Sequence, residues 1–350
     1  MTETGILDCD MLIKGGKIAA MAPDLEVCAP AWDLNRAFVL PGFIDIHTHG
    51  AKGVDINNAS PQDIVRLAGQ YAAYGVTSFL PTVACDSPEA MMSAVKNIVK
   101  ASRLEGSGAR ILGIHLEGPF LSPEFKGSLP QRYLRLPDQV LFDSLLTASD
   151  GLLKLMTLAP ELPGAMEFAR CLIDHGIVPS MGHTDAEYSQ VLEAYHNGIS
   201  HVTHLYSAMS GMVRKGGFRY PGLIESAFCI DDLTVEVIAD GCHLPAEILE
   251  MVYRIKGPGK MALTCDSMRC AGQNVKESVL GSLKNGQRVI IEDDVAKMPD
   301  RMAFAGSIAT DDRLVRVMYR QARVPLWDCV RMMSLTPAAI MGIGDQVGSI

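Results

Sequence analysis

The sequence predicts an α/β fold in which eight parallel strands close into a (β/α)8 barrel. Eight short apolar runs alternate with helical patterns between residues 43 and 266, and several of these runs end in side chains that commonly bind metals. Eight units over roughly 230 residues match the size of such a barrel. Because a closed barrel brings the C-terminal ends of its strands to one mouth, these polar endings favour it over an open, doubly wound sheet.

Residues that favour turns and helix ends mark the boundaries of the predicted elements. Gly15 and Gly16 lie between two short β-type runs and predict an N-terminal hairpin. The predicted barrel strands are 43–47, 76–82, 111–117, 153–159, 177–183, 200–204, 234–239 and 261–266. Helices are predicted from Ser60 to residue 75, from Ser87 to residue 104, and at 161–175, 185–197, 245–255 and 311–323. Residues 267–310 read as an excursion that carries substrate contacts, and 347–350 as the start of a strand.

Composition narrows the class of protein. A chain of 350 residues with 48% hydrophobic and 20% charged residues is typical of a globular protein. A net charge of −9 provides no basic surface for nucleic acid, and no apolar run is long enough to span a membrane. Nine scattered cysteines without a CxxC pair, and no secretory leader, predict a cytoplasmic protein.

His47 and His49 give the strongest local signal for a metal. They close an apolar run, and residues two apart in a strand point to the same side, so both imidazoles face the barrel interior. The alternative is two structural histidines with hydrogen-bond partners. Imidazoles together with carboxylates suit zinc, iron or manganese, so we expect one or two divalent ions.

Three further strand ends carry ligand-type side chains, Glu117, His183 and His204. A carboxylate after an apolar run is costly to bury unless it is paired or bound to a cation, and a bridging position between two metals would satisfy Glu117. Together the three residues make a site that leaves room for water. His115, one layer deeper, is equally compatible with a supporting donor and with a structural histidine.

Asp266 ends the last predicted strand and is placed to touch a metal or its water. We expect it to act as the general base that passes a proton to the leaving group, and also as a ligand. The alternative is a helix N-cap, which aspartate favours. His201 is a weaker candidate because it begins its strand, while His175 and His196 fall near helix ends and are expected in solvent.

These residues carry a family resemblance. The chain resembles the N-acetylglucosamine-6-phosphate deacetylase family of the amidohydrolase superfamily over nearly its whole length. The matching stretches are residues 41–50, 115–120, 157–161, 182–186, 203–205, 239–243 and 305–307. The stretches at 115–120, 182–186 and 239–243 are specific to the deacetylase branch, so the match goes beyond a generic barrel.

The resemblance implies a TIM-type barrel with the fold of a metal-dependent hydrolase, at residues 41–336. It also implies a small β-sandwich domain formed by the two termini, residues 1–40 and 337–350, whose C-terminal part is short here. The implied ligands are Glu117, His183 and His204, with Asp266 as the base. Some members of the family lack the histidine pair and keep one metal, so His47 and His49 imply a second one.

The resemblance further implies a substrate site and a partner. The substrate would be an amino-sugar phosphate, and the implied contacts are Ser207, Ala208, Arg219, His243, Gly306 and Ser307. Arg219 would grip the phosphate from across a homodimer.

Two departures bear on the substrate. Leu129 stands where the family usually has a histidine or glutamine that contacts the sugar, and Ser207 stands where it has an asparagine. The first hypothesis is therefore deacetylation of N-acetylglucosamine-6-phosphate. The alternatives are an amidohydrolase for another N-acyl amino sugar, such as N-acetylgalactosamine-6-phosphate, or for a cyclic amide, and a non-catalytic metal-binding barrel protein.

Overall fold

The computed structural model describes residues 5–28, 30–106, 108–283 and 286–350. Its strands are β1 (Asp10–Lys14), β2 (Lys17–Ala22), β3 (Phe43–Thr48), β4 (Gly50–Ala51), β5 (Val54–Asp55), β6 (Val76–Ala84), β7 (Arg110–Ile111), β8 (Ile114–Glu117), β9 (Leu153–Leu158), β10 (Val178–Met181), β11 (His201–Val202), β12 (Val213–Lys215), β13 (Phe218–Tyr220), β14 (Thr234–Ile238), β15 (Met261–Thr264), β16 (Glu277–Leu280), β17 (Gln287–Glu292), β18 (Val295–Lys297) and β19 (Phe304–Gly306). Its α-helices are α1 (Pro61–Ala72), α2 (Pro88–Ser102), α3 (Gln139–Ser149), α4 (Ala165–Asp174), α5 (Tyr188–His196), α6 (Leu223–Cys229), α7 (Ala246–Lys256), α8 (Asp311–Arg320), α9 (Leu326–Met332) and α10 (Leu335–Ile340), with 3-10 turns at Ile56–Asn58 and Gln131–Tyr133.

The barrel is confirmed, and its eight strands lie where the apolar runs predict them. They form one parallel sheet in the order β3, β6, β8, β9, β10, β11, β14, β15. The first and last strands meet at a seam, where the Asp266 amide donates to the His47 carbonyl at 3.0 Å. The Thr264 hydroxyl donates to the same carbonyl at 2.8 Å. The barrel is therefore nearly closed, and the C-terminal strand ends share one mouth.

The six predicted helices are all present and cover the sheet with apolar faces. Both predicted caps form: the Ser60 side chain accepts from the Asp63 amide, and the Ser87 side chain accepts from the Ala90 amide, each at 3.2 Å. Four helices were not predicted, namely α3, α6, α9 and α10. No helix among the described residues is both long and apolar enough to cross a membrane.

A separate antiparallel sheet interrupts the barrel pattern after β15. It contains β16, β17, β18 and β19 in that order. Met268, Val289, Ala296 and Ala305 form a small apolar core of their own here. This sheet is the β structure of the predicted excursion.

The N-terminal hairpin is confirmed as β1 paired with β2. The prediction of a strand at 347–350 is wrong, because the described residues after α10 form turns and bends. The Val347 amide donates to the Ile343 carbonyl at 3.2 Å, and Val347 packs against an apolar cluster that includes Ile44 and Ala338. Its apolar character thus serves packing against the barrel rather than strand pairing. The division into a domain of residues 1–40 with 337–350 and a barrel of 41–336 stays a prediction.

Candidate metal centre and active site

The candidate ligands meet at the mouth of the barrel because each lies at the C-terminal end of a strand. His47 is in β3 and His49 follows it, Glu117 ends β8, and His183, His204 and Asp266 lie two residues beyond β10, β11 and β15. All six are buried or nearly so. Strand ends of one closed sheet thus bring together residues that are more than 200 positions apart.

Three of these residues have a left-handed backbone. The φ angles are 48° at His183, 28° at His204 and 41° at Asp266. A residue with a Cβ atom pays of order 1–3 kcal/mol for such a conformation, which persists only where surrounding structure enforces it. All three residues lie just beyond a strand end and line the cavity, so the strained positions cluster at this end of the barrel.

The first group of ligand atoms consists of Glu117, His183 and His204. Oε1 of Glu117 lies 3.0 Å from Nε2 of His183 and 3.1 Å from Nε2 of His204. The two imidazole nitrogens are 3.1 Å apart. The other ring nitrogen of His183 donates to the Phe125 carbonyl at 2.9 Å, which leaves Nε2 free to bind a metal.

The second group consists of His47, His49 and Asp266. Nε2 of His49 lies 3.3 Å from both Nε2 of His47 and Oδ1 of Asp266. Nε2 of His47 lies 3.6 Å from the same carboxylate oxygen. The three side chains come from the first and the last barrel strands, so closure of the barrel assembles this group.

Glu117 joins the two groups. Its Oε1 faces His183 and His204, whereas its Oε2 lies 3.3 Å from Nε2 of His49. Around a tetrahedral ion with bonds of about 2.0–2.1 Å, neighbouring ligand atoms are roughly 3.3 Å apart. Both groups have this spacing, and their nitrogen and carboxylate atoms are the donors that zinc, iron and manganese accept. The residues therefore fit one or two divalent ions, with Glu117 between them.

Mutual contacts set the charges in the cluster. Burial opposes ionisation of Glu117, but hydrogen bonds from His183 and His204 outweigh it and hold its pKa well below the ordinary value. Burial also opposes ionisation of Asp266, yet His47 and His49 lower its pKa. Burial disfavours the charged form of His49, but Asp266 and Glu117 raise its pKa to about 9. A divalent ion that binds here therefore displaces protons.

A cavity of about 490 Å³ opens above the cluster, which is room for a small ligand. Its floor includes His49, Glu117, His183, His204 and Asp266. Leu280, Gln287 and Phe304 of the antiparallel sheet form one wall. The predicted excursion at 267–310 therefore reaches the site.

The predicted substrate residues divide into two sets. Ser207, Ala208, His243 and Gly306 line the cavity. His243 is held by Asp240, whose carboxylate lies 2.8 Å from its Nδ1 and accepts from its backbone amide at the same distance.

Two predicted substrate residues lie elsewhere. Ser307 is fully buried, and its amide donates to the Asp266 carbonyl at 3.2 Å, so it supports the loop that carries Asp266. Arg219 is exposed on the β12–β13 hairpin and is not among the residues that line the cavity of this chain. The direct substrate contact predicted for Ser307 stays a prediction.

Sequence reasoning missed three residues near the site. Arg132 and Tyr133, in the second 3-10 turn, line the cavity, and the Arg132 guanidinium lies 4.7 Å from the centre of the Tyr133 ring. Glu236 is fully buried in β14, with an oxygen 3.0 Å from Nδ1 of His47. A glutamate inside an apolar strand was a signal that could have found Glu236, whereas no pattern marks Arg132.

The remaining histidines match their predicted places. His115 bonds to the Thr157 hydroxyl at 2.8 Å and packs edge-on against His47, so it supports the site from below. Burial holds the pKa of His115 well below its ordinary value. His201 bonds to Glu236 and lies outside both ligand groups. His175 and His196 are exposed, as predicted.

Comparisons with known proteins agree with this architecture. A family model described as the amidohydrolase family matches residues 38–350. An N-acetylglucosamine-6-phosphate deacetylase of Bacillus subtilis (strain 168) is 35% identical over 348 residues, 97% of this chain and 85% of the relative. An N-acetylgalactosamine-6-phosphate deacetylase of Escherichia coli O157:H7 is 30% identical over 351 residues, 100% of this chain and 90% of the relative.

A solved structure extends the agreement to three dimensions. It is an aspartate-to-alanine mutant of N-acetyl-D-glucosamine-6-phosphate deacetylase from Mycobacterium smegmatis, in complex with N-acetyl-D-glucosamine-6-phosphate. The TM-score is 0.89 at 28% identity, and the match covers 98% of this chain and 88% of that one.

A parallel barrel with histidines and carboxylates clustered at its mouth defines a metal-dependent hydrolase. The chain belongs to the amidohydrolase family, and within it to the family of N-acetylglucosamine-6-phosphate deacetylases.

Proposed function

We propose that this protein removes the acetyl group from N-acetylglucosamine-6-phosphate, giving glucosamine-6-phosphate and acetate. The observation that carries the proposal is the pair of ligand groups joined by Glu117, with Asp266 beside them, at the floor of a cavity of about 490 Å³. The named relatives support the substrate class, since they deacetylate amino-sugar phosphates by name. Nine free cysteines support a cytoplasmic location.

In this proposal Glu117, His183 and His204 would hold one divalent ion, and His47, His49 and Asp266 would hold a second. A bound ion would polarise the acetyl carbonyl and activate the attacking water. The short distances between the donor atoms of each group support the assignment, because neutral imidazoles facing one another at 3.1 Å need a proton or a cation between them.

Asp266 moves the proton in the proposed reaction. Its lowered pKa keeps it a carboxylate, ready to accept a proton from the water that attacks the acetyl carbon. As the new C–O bond forms and the C–N bond breaks, Asp266 delivers this proton to the departing amine nitrogen. Backbone hydrogen bonds to His47 and Ser307 hold the segment that carries this carboxylate.

For the phosphate we propose His243 and Arg132 of the same chain and Arg219 of a second copy in a homodimer. The β12–β13 hairpin supports the dimer, because Phe218, the neighbour of Arg219 in β13, is 74% exposed. Mixing an Arg219→Ala variant with an Asp266→Asn variant tests it. Recovery of activity on mixing is expected, since one site of each mixed dimer has Asp266 and receives Arg219. No recovery, with dimers present, would exclude the crossing.

The competing substrate is the galactose epimer, which is supported by the relative named for N-acetylgalactosamine-6-phosphate. Leu129 lines the cavity beside Tyr133, where an apolar side chain cannot bond a sugar hydroxyl. We therefore expect weaker discrimination between epimers than a polar residue would give.

A substrate screen tests the function. Acetate release would be measured on N-acetylglucosamine-6-phosphate, N-acetylgalactosamine-6-phosphate, both unphosphorylated sugars and a cyclic amide. The proposal predicts that the phosphorylated sugars have the highest kcat/KM. Equal rates with and without phosphate would favour a different amidohydrolase. Tight metal binding without turnover on any of them would favour a non-catalytic barrel.

A further inference from the structure

One carboxylate beneath the candidate metal centre has no part in the chemistry proposed so far. Glu236 occupies the middle of β14, between Val235 and Val237, and its side chain is fully buried. Taking a carboxylate out of water costs several kcal/mol unless it is paired and hydrogen-bonded. The hydrogen-bond partners of Glu236 therefore indicate the role of this buried carboxylate.

Glu236 contacts both ligand groups. Its Oε2 lies 3.0 Å from Nδ1 of His47, and the same oxygen accepts from the backbone amide of His204 at 3.4 Å. Its backbone carbonyl accepts from the Leu205 amide at 2.8 Å. One residue thus reaches a ligand of each group, and it does so at the segment where His204 has its strained backbone.

The other oxygen of Glu236 is also anchored. Oε1 lies 3.1 Å from Nε2 of His201, whose Nδ1 lies 2.8 Å from the Thr234 hydroxyl. His201 is fully buried as well. With a partner on each oxygen, the carboxylate cannot rotate away from His47.

We propose that Glu236 is the positioning residue of the metal centre: it fixes the Nε2 atom of His47 toward His49 and Asp266 and holds the His204 segment in place. The inference rests on the proposed metal binding by His47. A carboxylate accepts a hydrogen bond, so Nδ1 of His47 must carry the proton and Nε2 must present its lone pair. The added negative charge also makes the imidazole a stronger ligand.

The charge of the centre supports the same role. The two ligand groups contain two carboxylates, Glu117 and Asp266, whereas two divalent ions bring four positive charges. Glu236 adds a third negative charge directly behind His47, in a region from which water is excluded. Removing that charge should therefore weaken metal binding even where the shape of the side chain is kept.

Glu236→Gln tests the proposal. An amide offers one acceptor and one donor, so it cannot accept from both His47 and His201, and it carries no charge. We expect the zinc affinity of the site that contains His47 to fall by roughly 10–100-fold. Zinc would be titrated into metal-free protein against a chromophoric chelator, with stoichiometry from elemental analysis. His49→Gln removes a ligand from the same site, so the zinc affinity that this variant loses is the affinity of the site that contains His47.

The matched control is Lys256→Met, which removes another buried charge that lies outside both ligand groups. Melting temperatures with and without zinc separate positioning from plain structure. A positioning role predicts that Glu236→Gln shrinks the rise in Tm that zinc produces, while Lys256→Met lowers Tm but leaves the rise unchanged. Glu236→Asp, which keeps the charge and withdraws it by one methylene, provides a second variant and should weaken zinc less.

Wild-type zinc affinity in folded Glu236→Gln protein would overturn the inference while leaving the proposed function intact. If His49→Gln binds as much zinc as the wild type, His47 and His49 hold no ion and the two-metal proposal fails together with this inference. A lower Tm with an unchanged zinc response would assign Glu236 to stability alone.

Discussion

The backbone of Asp266 is held by two segments that are distant from each other in the chain. Its amide donates to His47 in the first barrel strand, and its carbonyl accepts from Ser307 after the antiparallel sheet. Its φ of 41° lies in the left-handed region, which a residue with a Cβ atom adopts only where the surrounding structure enforces it. A reactive carboxylate placed in this way reaches its partners without a further loss of conformational entropy.

Replacing this carboxylate isolates its role. Asp266→Asn keeps the size of the side chain and removes the proton acceptor, so kcat should fall by roughly 10²–10⁴-fold while substrate still binds. Steady-state kinetics and zinc content would be measured together. Asp312→Asn, at a partly exposed ion pair with Arg316, serves as the control. Turnover close to wild type in Asp266→Asn would assign Asp266 to structure.

Arg132 gives a second prediction for a single residue. Its guanidinium is ordered against Tyr133 and lines the cavity, where it suits a phosphate. Arg132→Ala should raise KM for the phosphorylated sugar about tenfold, equivalent to one charge-assisted hydrogen bond, with little change in kcat. Arg135→Ala is the control, because Arg135 is exposed nearby and faces Asp138 at 4.0 Å. Equal KM values for Arg132→Ala and wild type would remove Arg132 from the phosphate site.

Among the secondary-structure elements, α6 and α7 illustrate how neighbouring helices stabilise each other. The Lys256 ammonium at the end of α7 donates to the carbonyls of Ala227, Ile230 and Asp231, at 2.9, 3.1 and 3.1 Å. These carbonyls lie at or just beyond the C-terminal end of α6, where helix carbonyls have no partner within the helix. One buried cation therefore completes the end of a short helix.

Removing this cation should cost stability without touching the chemistry. Lys256→Met leaves the three carbonyls without their donor, so the free energy of unfolding should fall by about 1–3 kcal/mol. Urea denaturation measures the change. Arg254→Met, on the same helix with a 72% exposed side chain, should stay within about 0.5 kcal/mol of wild type. The same midpoint for both variants would contradict the capping role.

At the level of the whole molecule, barrel closure concentrates charge in one place. Four histidines and two carboxylates from five strand ends lie within contact distance of one another. His49 has a pKa of about 9 because Asp266 and Glu117 favour its charged form over the cost of burial. Metal binding and proton binding must therefore compete for the same atoms.

The competition gives a pH dependence with a definite sign. Below about pH 9 the proton on His49 has to leave before a metal binds, so zinc affinity should fall as pH falls, by about tenfold per unit for each proton displaced. Calorimetry in buffers of different ionisation enthalpy measures the released protons. The His49→Gln variant should release fewer protons when zinc binds. Zinc affinity that stays constant between pH 6 and pH 9 would contradict the raised pKa.

The hydrophobic periodicity of the chain predicted most of the barrel, because the signals that define its elements are local in sequence. Each of these signals occupies only a few consecutive residues: the apolar runs, the helix caps at Ser60 and Ser87, and the glycines at helix ends. Helices such as α6 and α10 were missed because they are short and depend on packing against the sheet rather than on their own pattern. The segment 347–350 was predicted to be a strand because of its apolar Val347, but this residue packs on side chains that are distant in sequence.

The sequence alone determined the candidate ligands His47, His49, Glu117, His183, His204 and Asp266, because metal-binding side chains at the ends of apolar runs are conspicuous wherever the chain folds. Only the tertiary structure decided that Glu117 lies between two groups and that Glu236 contacts a residue of each. It also decided that Arg132 rather than this chain's own Arg219 lines the cavity, and that the Ser307 amide donates to Asp266. These are distances between segments far apart in the chain. Closure of the barrel sets such distances, and no local pattern encodes them.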